Sequence, residues 1–144
     1  MTRRLRHVLL TLEAIAALAR SRLALSLLSW RQAMVTGGGP GRAQASCSSA
    51  ASGLPLCALE GAVRRASRLV PGATCLAQAL ALRRLLVRHG HASTVQIGVT
   101  TAGGLFAAHA WVESEGVALL CGADDLDRYA PLLTWPPQSS TGAR

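Results

Sequence analysis

The sequence changes its hydrophobic period at Gly90, and this change limits the fold more than any other feature. Before Gly90, the apolar residues of segment 75–89 recur at helical spacing; Thr74 is suited to cap the start of a helix there, and Gly90 to end it. After Gly90, apolar and polar residues alternate in short runs separated by turns that contain glycine, which is typical of a strand meander. We therefore predict an α+β fold in which this helix packs on a small antiparallel sheet.

The meander is expected to contain three strands, over 94–100, 105–113 and 117–121. Side chains alternate between the two faces of a strand, so one face of the second strand must meet the helix. The following segment, 122–133, reads as a loop or a short helix. The two faces of the second strand carry Ala107, His109, Trp111 and Glu113 on one side, and Phe106, Ala108, Ala110 and Val112 on the other.

The N-terminal segment 3–34 is predicted to form one or two amphipathic helices. Glu13 interrupts its first apolar run, and Arg20 and Arg22 separate that run from a second one. Neither run reaches the roughly 20 uncharged residues that are needed to span a bilayer. Three roles stay open for this segment: packing on the domain core, peripheral attachment to a membrane, and a cleaved signal peptide.

Composition divides the chain into four regions. The Gly, Ser and Ala-rich run that begins at Thr36 has no apolar period, which predicts a flexible connection. The end of the chain is polar and is expected to be disordered. The predicted regions are N-terminal amphipathic helices at 1–35, a linker at 36–57, the core at 58–133 and a disordered tail at 134–144.

The charge, the aromatic content and the cysteine spacing speak against nucleic-acid, zinc and thioredoxin-like sites. The net charge is +8, all fifteen basic residues are arginine, and aromatic residues make up 3% of the chain, so base-stacking surfaces are not indicated and no nucleic-acid motif is present. The four cysteines, Cys47, Cys57, Cys75 and Cys121, contain no C-x-x-C pair, which speaks against a zinc ribbon or a thioredoxin-like motif. We expect no metal, no cofactor and no nucleic acid.

Cys75 and His109 are the residues that most directly suggest chemistry. Cys75 begins the helix after Thr74, where unpaired N–H groups and the positive end of the helix dipole favour a thiolate. A histidine on a facing strand can stabilise that thiolate and transfer its proton, while the same N–H groups can receive an oxyanion. The pair therefore indicates a thiol nucleophile with a histidine base.

A third residue usually orients the imidazole. We choose Asp124 for this role, with Asp125 and Glu113 as alternatives. Cys121 is a rival nucleophile, but it ends a strand and has no helix dipole to activate it. Without other context, a lone cysteine at a helix start and a lone histidine in a strand are each more often packing residues. His89 and His91 flank Gly90 and are expected to be ordinary surface residues in a solvated turn.

The segment 59–133 resembles the transglutaminase-type cysteine peptidase of lasso peptide biosynthesis, the leader peptidase of the B-protein type. The resemblance is carried by P-G-A-T-C-L at 71–76 and H-A-W-V-E at 109–113, together with R-Y-A-P-L at 128–132. It implies a papain-like or transglutaminase-like fold with Cys75 as nucleophile and His109 as general base. It also implies an acidic third residue after H-A-W-V-E, where this sequence has Asp124 and Asp125.

The same resemblance implies a substrate and partners. The substrate would be a ribosomal precursor peptide, cut between leader and core, after which an ATP-dependent cyclase closes the macrolactam. Because no winged-helix-like segment precedes residue 59, we expect a separate leader-recognition protein and a cytoplasmic location, with peripheral membrane contact left open. A competing hypothesis is a non-catalytic, membrane-peripheral scaffold of a peptide-maturation complex, and acyl transfer instead of hydrolysis would use the same site.

Overall fold

The computed structural model describes residues 3–27, 54–121 and 126–135 of the chain. Within these ranges the protein is an α+β fold of three helices and one four-stranded antiparallel sheet, as predicted. The helices are α1 (Arg3–Leu27), α2 (Leu56–Leu69) and α3 (Cys75–Arg88). The strands are β1 (Thr94–Thr100), β2 (Ala107–Ser114), β3 (Val117–Leu119) and β4 (Ala130–Trp135).

Helix α3 lies at the centre of the fold. It contacts α1, α2 and the sheet, and it is buried on nearly every side because small and branched apolar residues, from Ala77 to Leu86, surround its axis. Helix α1 packs one face against α2 and α3, which agrees with the interpretation that the N-terminal segment packs on the core. The core consists almost entirely of Leu, Ala and Val, as the shortage of aromatic residues requires.

Arg83 is the only charged side chain that is buried within the described residues. It is 2% exposed, and its Nε and Nη1 atoms have no hydrogen-bond partner. Burial lowers the pKa of this guanidinium, because leaving water disfavours the charged form. Arg83 is therefore a charged group of the helical layer that its surroundings do not fully satisfy.

The sheet has the strand order β3-β2-β1-β4. The register pairs Gly98 with His109 and Val95 with Val112, so the alternating side chains of β1 and β2 form two continuous faces. The face with Val95, Ala110 and Val112 is buried in the core cluster against the helices. His109 and its neighbours on the same face point to the other side of the sheet.

Strand β4 was not predicted; segment 122–133 was expected to be a loop or a short helix. Its sequence, A-P-L-L-T-W, lacks the polar alternation of a half-buried strand, and Pro131 argues against a central strand. It forms nevertheless, because it is an edge strand and pairs with β1 across a register shift beside Gly98. A 3₁₀ turn at Leu126–Arg128 precedes it.

Residues 36–53 of the predicted linker and nearly all of the predicted tail lie outside the described residues, and the domain boundaries stay predictions. Two of the predicted boundaries fall inside elements of the structure, since α2 begins at Leu56 and β4 runs to Trp135. None of the helices in the described part of the chain is both long and apolar enough to cross a membrane.

Candidate active site

Cys75 is the first residue of α3, where the sequence predicted it. The Thr74 hydroxyl accepts a hydrogen bond from the Ala77 N–H at 3.2 Å and so caps the helix. The thiol is half-buried, packs against the edge of the core and is not in a disulfide. The first turn of a helix leaves backbone N–H groups without partners inside the helix, and these can donate hydrogen bonds to a bound group.

The turn before Cys75 is held by α1. Arg22 donates a hydrogen bond from Nη1 to the Pro71 carbonyl. Gly72 has a φ of 69°, a left-handed conformation that suits glycine, and its Cα faces the Arg22 guanidinium. The N-terminal helix therefore supports the segment that presents the thiol.

His109 lies on β2 and its ring is held in one orientation. Its Nε2 is 3.2 Å from the Leu120 carbonyl oxygen. A carbonyl can only accept, so Nε2 carries the proton, and in the neutral ring Nδ1 then has the lone pair. Nδ1 has no hydrogen bond within the described part of the chain. This is the tautomer that a general base needs, with a backbone carbonyl in the orienting role.

Leu120 is itself positioned by α2. Its backbone has a φ of 64°, an uncommon conformation for a branched residue. Its N–H donates to Glu60 Oε1 at 2.9 Å, and the same oxygen accepts from Arg64 Nη2 at 2.8 Å. Glu60 therefore fixes the chain at Leu120, and Leu120 fixes the imidazole. Neither residue was predicted to belong to the site, since Glu60 and Leu120 are 60 positions apart and no local pattern links them.

An aromatic cluster surrounds the imidazole. The His109 ring lies 6.3 Å from the Trp111 ring at an interplanar angle of 18°, and 5.6 Å from the Tyr129 ring. Gly98, the partner of His109 in the register, makes room for them: a Cβ there would lie 2.8 Å from Tyr129 Cβ and 2.9 Å from the Trp111 ring. Tyr129 stood in the R-Y-A-P-L motif without an assigned role, and here it packs on the candidate base.

Glu113, an alternative third residue, has other partners. It accepts hydrogen bonds from Trp111 Nε1 at 3.4 Å and from Gln96 Nε2 at 3.2 Å. The Thr134 hydroxyl donates to Gln96 Oε1 at 2.6 Å and extends this network to β4. Glu113 therefore ties the strands together and has no hydrogen bond to His109. Asp124 and Asp125 lie outside the described residues, so the choice of Asp124 stays a prediction.

The structure does not join Cys75 and His109 by a hydrogen bond in the described part of the chain. His109 shares the outer face of the sheet with Trp111, whereas α3 packs on the inner face. Ser114 Oγ donates to the Ala92 carbonyl just beyond the C-terminal end of α3, and β2 contacts α3.

His89 and His91 differ from the expected surface residues of a solvated turn. Both are only partly exposed, and each contacts a carboxylate: His89 Nε2 is 3.3 Å from Glu13, and His91 Nδ1 is 2.8 Å from Glu115. His91 Nε2 also donates to the Leu54 carbonyl at 3.1 Å. They connect elements that are distant in sequence, and neither contacts Cys75.

The comparisons with known proteins give one result. The comparison with curated proteins and the comparison with solved structures each found no match. The sequence model described as the transglutaminase-like superfamily matches residues 8–134, which includes most of α1 and all of the sheet but the last residue of β4. Because this match covers nearly the whole chain and agrees with the α+β architecture, the protein belongs to the transglutaminase-like superfamily.

Proposed function

We propose that this protein is a cysteine peptidase that removes the leader from a ribosomally made lasso precursor peptide before macrolactam closure. Membership of the transglutaminase-like superfamily supports the class of chemistry, thiol-based hydrolysis or transfer at an amide. The motifs around Cys75 and His109 support the substrate. A separate leader-recognition protein would deliver the precursor, and an ATP-dependent cyclase would act on the product.

One observation carries the proposal: Nε2 of the strand histidine bonds a carbonyl, which leaves Nδ1 to accept a proton, while the cysteine begins a capped helix. A histidine that served only for packing would not need a fixed tautomer. A cysteine that served only for packing would not need the first turn of a capped helix. Together they form the two halves of a thiol peptidase site.

The reaction would proceed in two steps. The Cys75 thiol proton passes to His109 Nδ1, and the sulfur attacks the carbonyl carbon at the end of the leader. N–H groups of the first turn of α3 stabilise the oxyanion, and the amine of the core peptide leaves with the proton from His109. Water then attacks the thioester, gives a proton to His109 and releases the leader carboxylate, which regenerates the thiol.

The proposal requires Sγ and Nδ1 to come within hydrogen-bond distance of each other when peptide is bound, since contacts of this kind are often looser without substrate. The partial exposure of both side chains leaves them accessible to an extended chain. Binding of the precursor and of the recognition protein would have to bring Cys75, at the N-terminal end of α3, close to His109 on the outer face of β2.

The test is mass spectrometry of a candidate precursor incubated with the protein, with and without the recognition protein. We expect cleavage at one bond, weak alone and faster with the partner, and no cleavage by Cys75→Ala or His109→Ala. Cys57→Ser is the matched control, because Cys57 is exposed in the first turn of α2 but that helix has no side-chain cap. Cys47→Ser should also cleave normally. Cleavage by Cys75→Ala would disprove the proposal.

The scaffold hypothesis has one observation in its favour, the apolar residues that α1 leaves exposed. Alkylation of the thiols separates the two hypotheses. A catalytic Cys75 should react faster than Cys57 despite being less exposed, because of the two only Cys75 begins a helix with a side-chain cap. If Cys57 reacts faster, as exposure alone predicts, the scaffold is favoured.

A further inference from the structure

Helix α1 is apolar on two opposite faces. One face is buried in the core through Leu10, Ala14 and Leu18. The opposite face is in solvent, and its large apolar side chains recur three or four positions apart from Leu5 to Leu12 and again at Leu23 and Leu27. This stripe, which we call the outer stripe of α1, consists of Leu5, Val8, Leu9, Leu12, Leu23 and Leu27, each 47–74% exposed.

Arginines border the outer stripe on both sides. At 3.6 residues per turn, Arg4 and Arg22 fall along one border, and Arg6 and Arg20 along the other. All four are exposed. The only carboxylate of the helix, Glu13, is engaged by Arg88 at 3.0 Å and by His89. The surface is thus an apolar centre between two positively charged margins.

A shallow hollow continues the outer stripe toward α2. Its volume is about 340 Å³, and Val8, Leu12, Ile15 and Leu69 supply most of its apolar lining. Arg65 stands at its rim, where its Nε donates to the Thr11 hydroxyl at 3.2 Å. The apolar strip and its positive border therefore extend over two helices.

We propose that this face of α1 lies in the headgroup region of an anionic phospholipid bilayer. From Leu5 to Leu27 the strip is roughly 33 Å long and follows one straight helix, which suits a flat surface. Leucines between arginines are the pattern by which helices bind at the membrane interface, with apolar side chains among acyl chains and guanidinium groups on phosphates. No membrane span is needed.

The layer order fits this orientation. Helix α1 lies on one side of α3, and the sheet lies on the other, with His109 on its outer face. A protein bound through the outer stripe would therefore keep that face of the sheet in solution. The inference does not depend on the proposed peptidase activity, since lipid binding can be measured with the Cys75→Ala variant.

The experiment is co-sedimentation of the full chain with vesicles of phosphatidylcholine containing about 30% phosphatidylglycerol, beside vesicles of phosphatidylcholine alone. We expect binding to the anionic vesicles only, reduced when salt rises from about 0.1 to 0.5 M. The double variant Leu9→Glu, Leu12→Glu should bind at least about tenfold more weakly, because charges replace the centre of the strip. Leu132→Glu is the matched control, since Leu132 is 68% exposed on β4 and should leave binding unchanged.

Each other outcome overturns the proposal. Failure of the unchanged chain to bind anionic vesicles would do so, as would equal binding to both kinds of vesicle, or equal loss in both variants. A dimer in sedimentation velocity that is lost in the double variant, without lipid binding, would assign the strip to a second copy of this chain. Circular dichroism melting of each variant shows that the compared proteins are folded.

Discussion

The two faces of strand β2 differ in what they contact. The inner face contributes Ala110 and Val112, which are buried against the helices and carry only methyl groups. The outer face contributes His109, Trp111 and Glu113, with aromatic contacts and hydrogen bonds across three strands. Because the two sets alternate along one strand, core residues and candidate-site residues are separated by a single residue step. Substitutions at neighbouring positions should therefore fail in different ways.

The largest effect is expected at His109. His109→Ala should reduce the rate of precursor cleavage about 10²- to 10⁴-fold, the usual contribution of a general base. Val112→Ala should leave the rate per folded molecule unchanged but lower the free energy of unfolding by roughly 2 kcal/mol, since it removes buried methyl groups. Cleavage rates and urea unfolding of both variants check this. A slow but stable Val112→Ala protein would contradict the separation of the two faces.

The next largest effect is expected at Gly98, which lies opposite His109 on the outer face of the sheet. Gly98→Ala would place a Cβ within 2.9 Å of the Trp111 ring. We expect a loss of about 1 to 3 kcal/mol in the free energy of unfolding, together with slower cleavage as the cluster around His109 shifts. Gly61→Ala is the control, because its Cβ would meet only the end of the Arg65 side chain in α2. That variant should be as stable as the parent or about 1 kcal/mol more stable.

A smaller effect is expected at Glu60, the positioning residue that reaches His109 through Leu120. Glu60→Ala leaves the Leu120 N–H without its acceptor, which should cost about 1 to 2 kcal/mol. The Glu60→Ala variant should also have a lower kcat with a smaller change in KM, and its His109 ring signals in NMR spectra should be broader. Glu60→Gln retains an acceptor and should restore most of the rate. Arg64→Ala removes an exposed ion pair and should change stability by less than about 1 kcal/mol.

The smallest effect concerns the helical side. Arg83→Met replaces a buried guanidinium, two of whose nitrogens lack partners, by an apolar side chain of similar length. We expect a gain of about 1 kcal/mol in the free energy of unfolding, with unchanged cleavage, because the cost of burying that charge disappears. Thermal and urea unfolding measure it. A loss of stability would mean that Arg83 contributes through its packing or its third nitrogen.

Much of this arrangement could be predicted because its signals are local. Thr74 before an apolar period predicted the start of α3, and the alternation around Val95 predicted β1 and the face of β2 that carries His109. The roles of Glu60 and Tyr129 could not be predicted, since they depend on contacts between distant segments. Strand β4 was missed because it forms through its partner β1 and not through its own pattern.

The backbone at Leu120 shows a further limit. A residue in the left-handed conformation is usually glycine or asparagine. Here a leucine adopts this conformation, and its N–H is hydrogen-bonded to Glu60. The relation of Cys75 to His109 was predicted only in part, since each lies on the expected element. The sequence did not indicate that the face of β2 with Ala110 and Val112 packs on α3, which places His109 on the opposite face. The lasso precursor as substrate stays a prediction.

The bond from Arg22 to the Pro71 carbonyl bears on how the chain can be shortened. A fragment that starts at Leu56 would keep the motifs at 71–76 and 109–113. It would lose α1, which holds the turn before Cys75, and it would expose to water the side of α3 that α1 covers. Such a fragment should aggregate or stay unfolded. We therefore expect the smallest part of this protein that folds on its own to be larger than its recognisable motifs and to include the first helix.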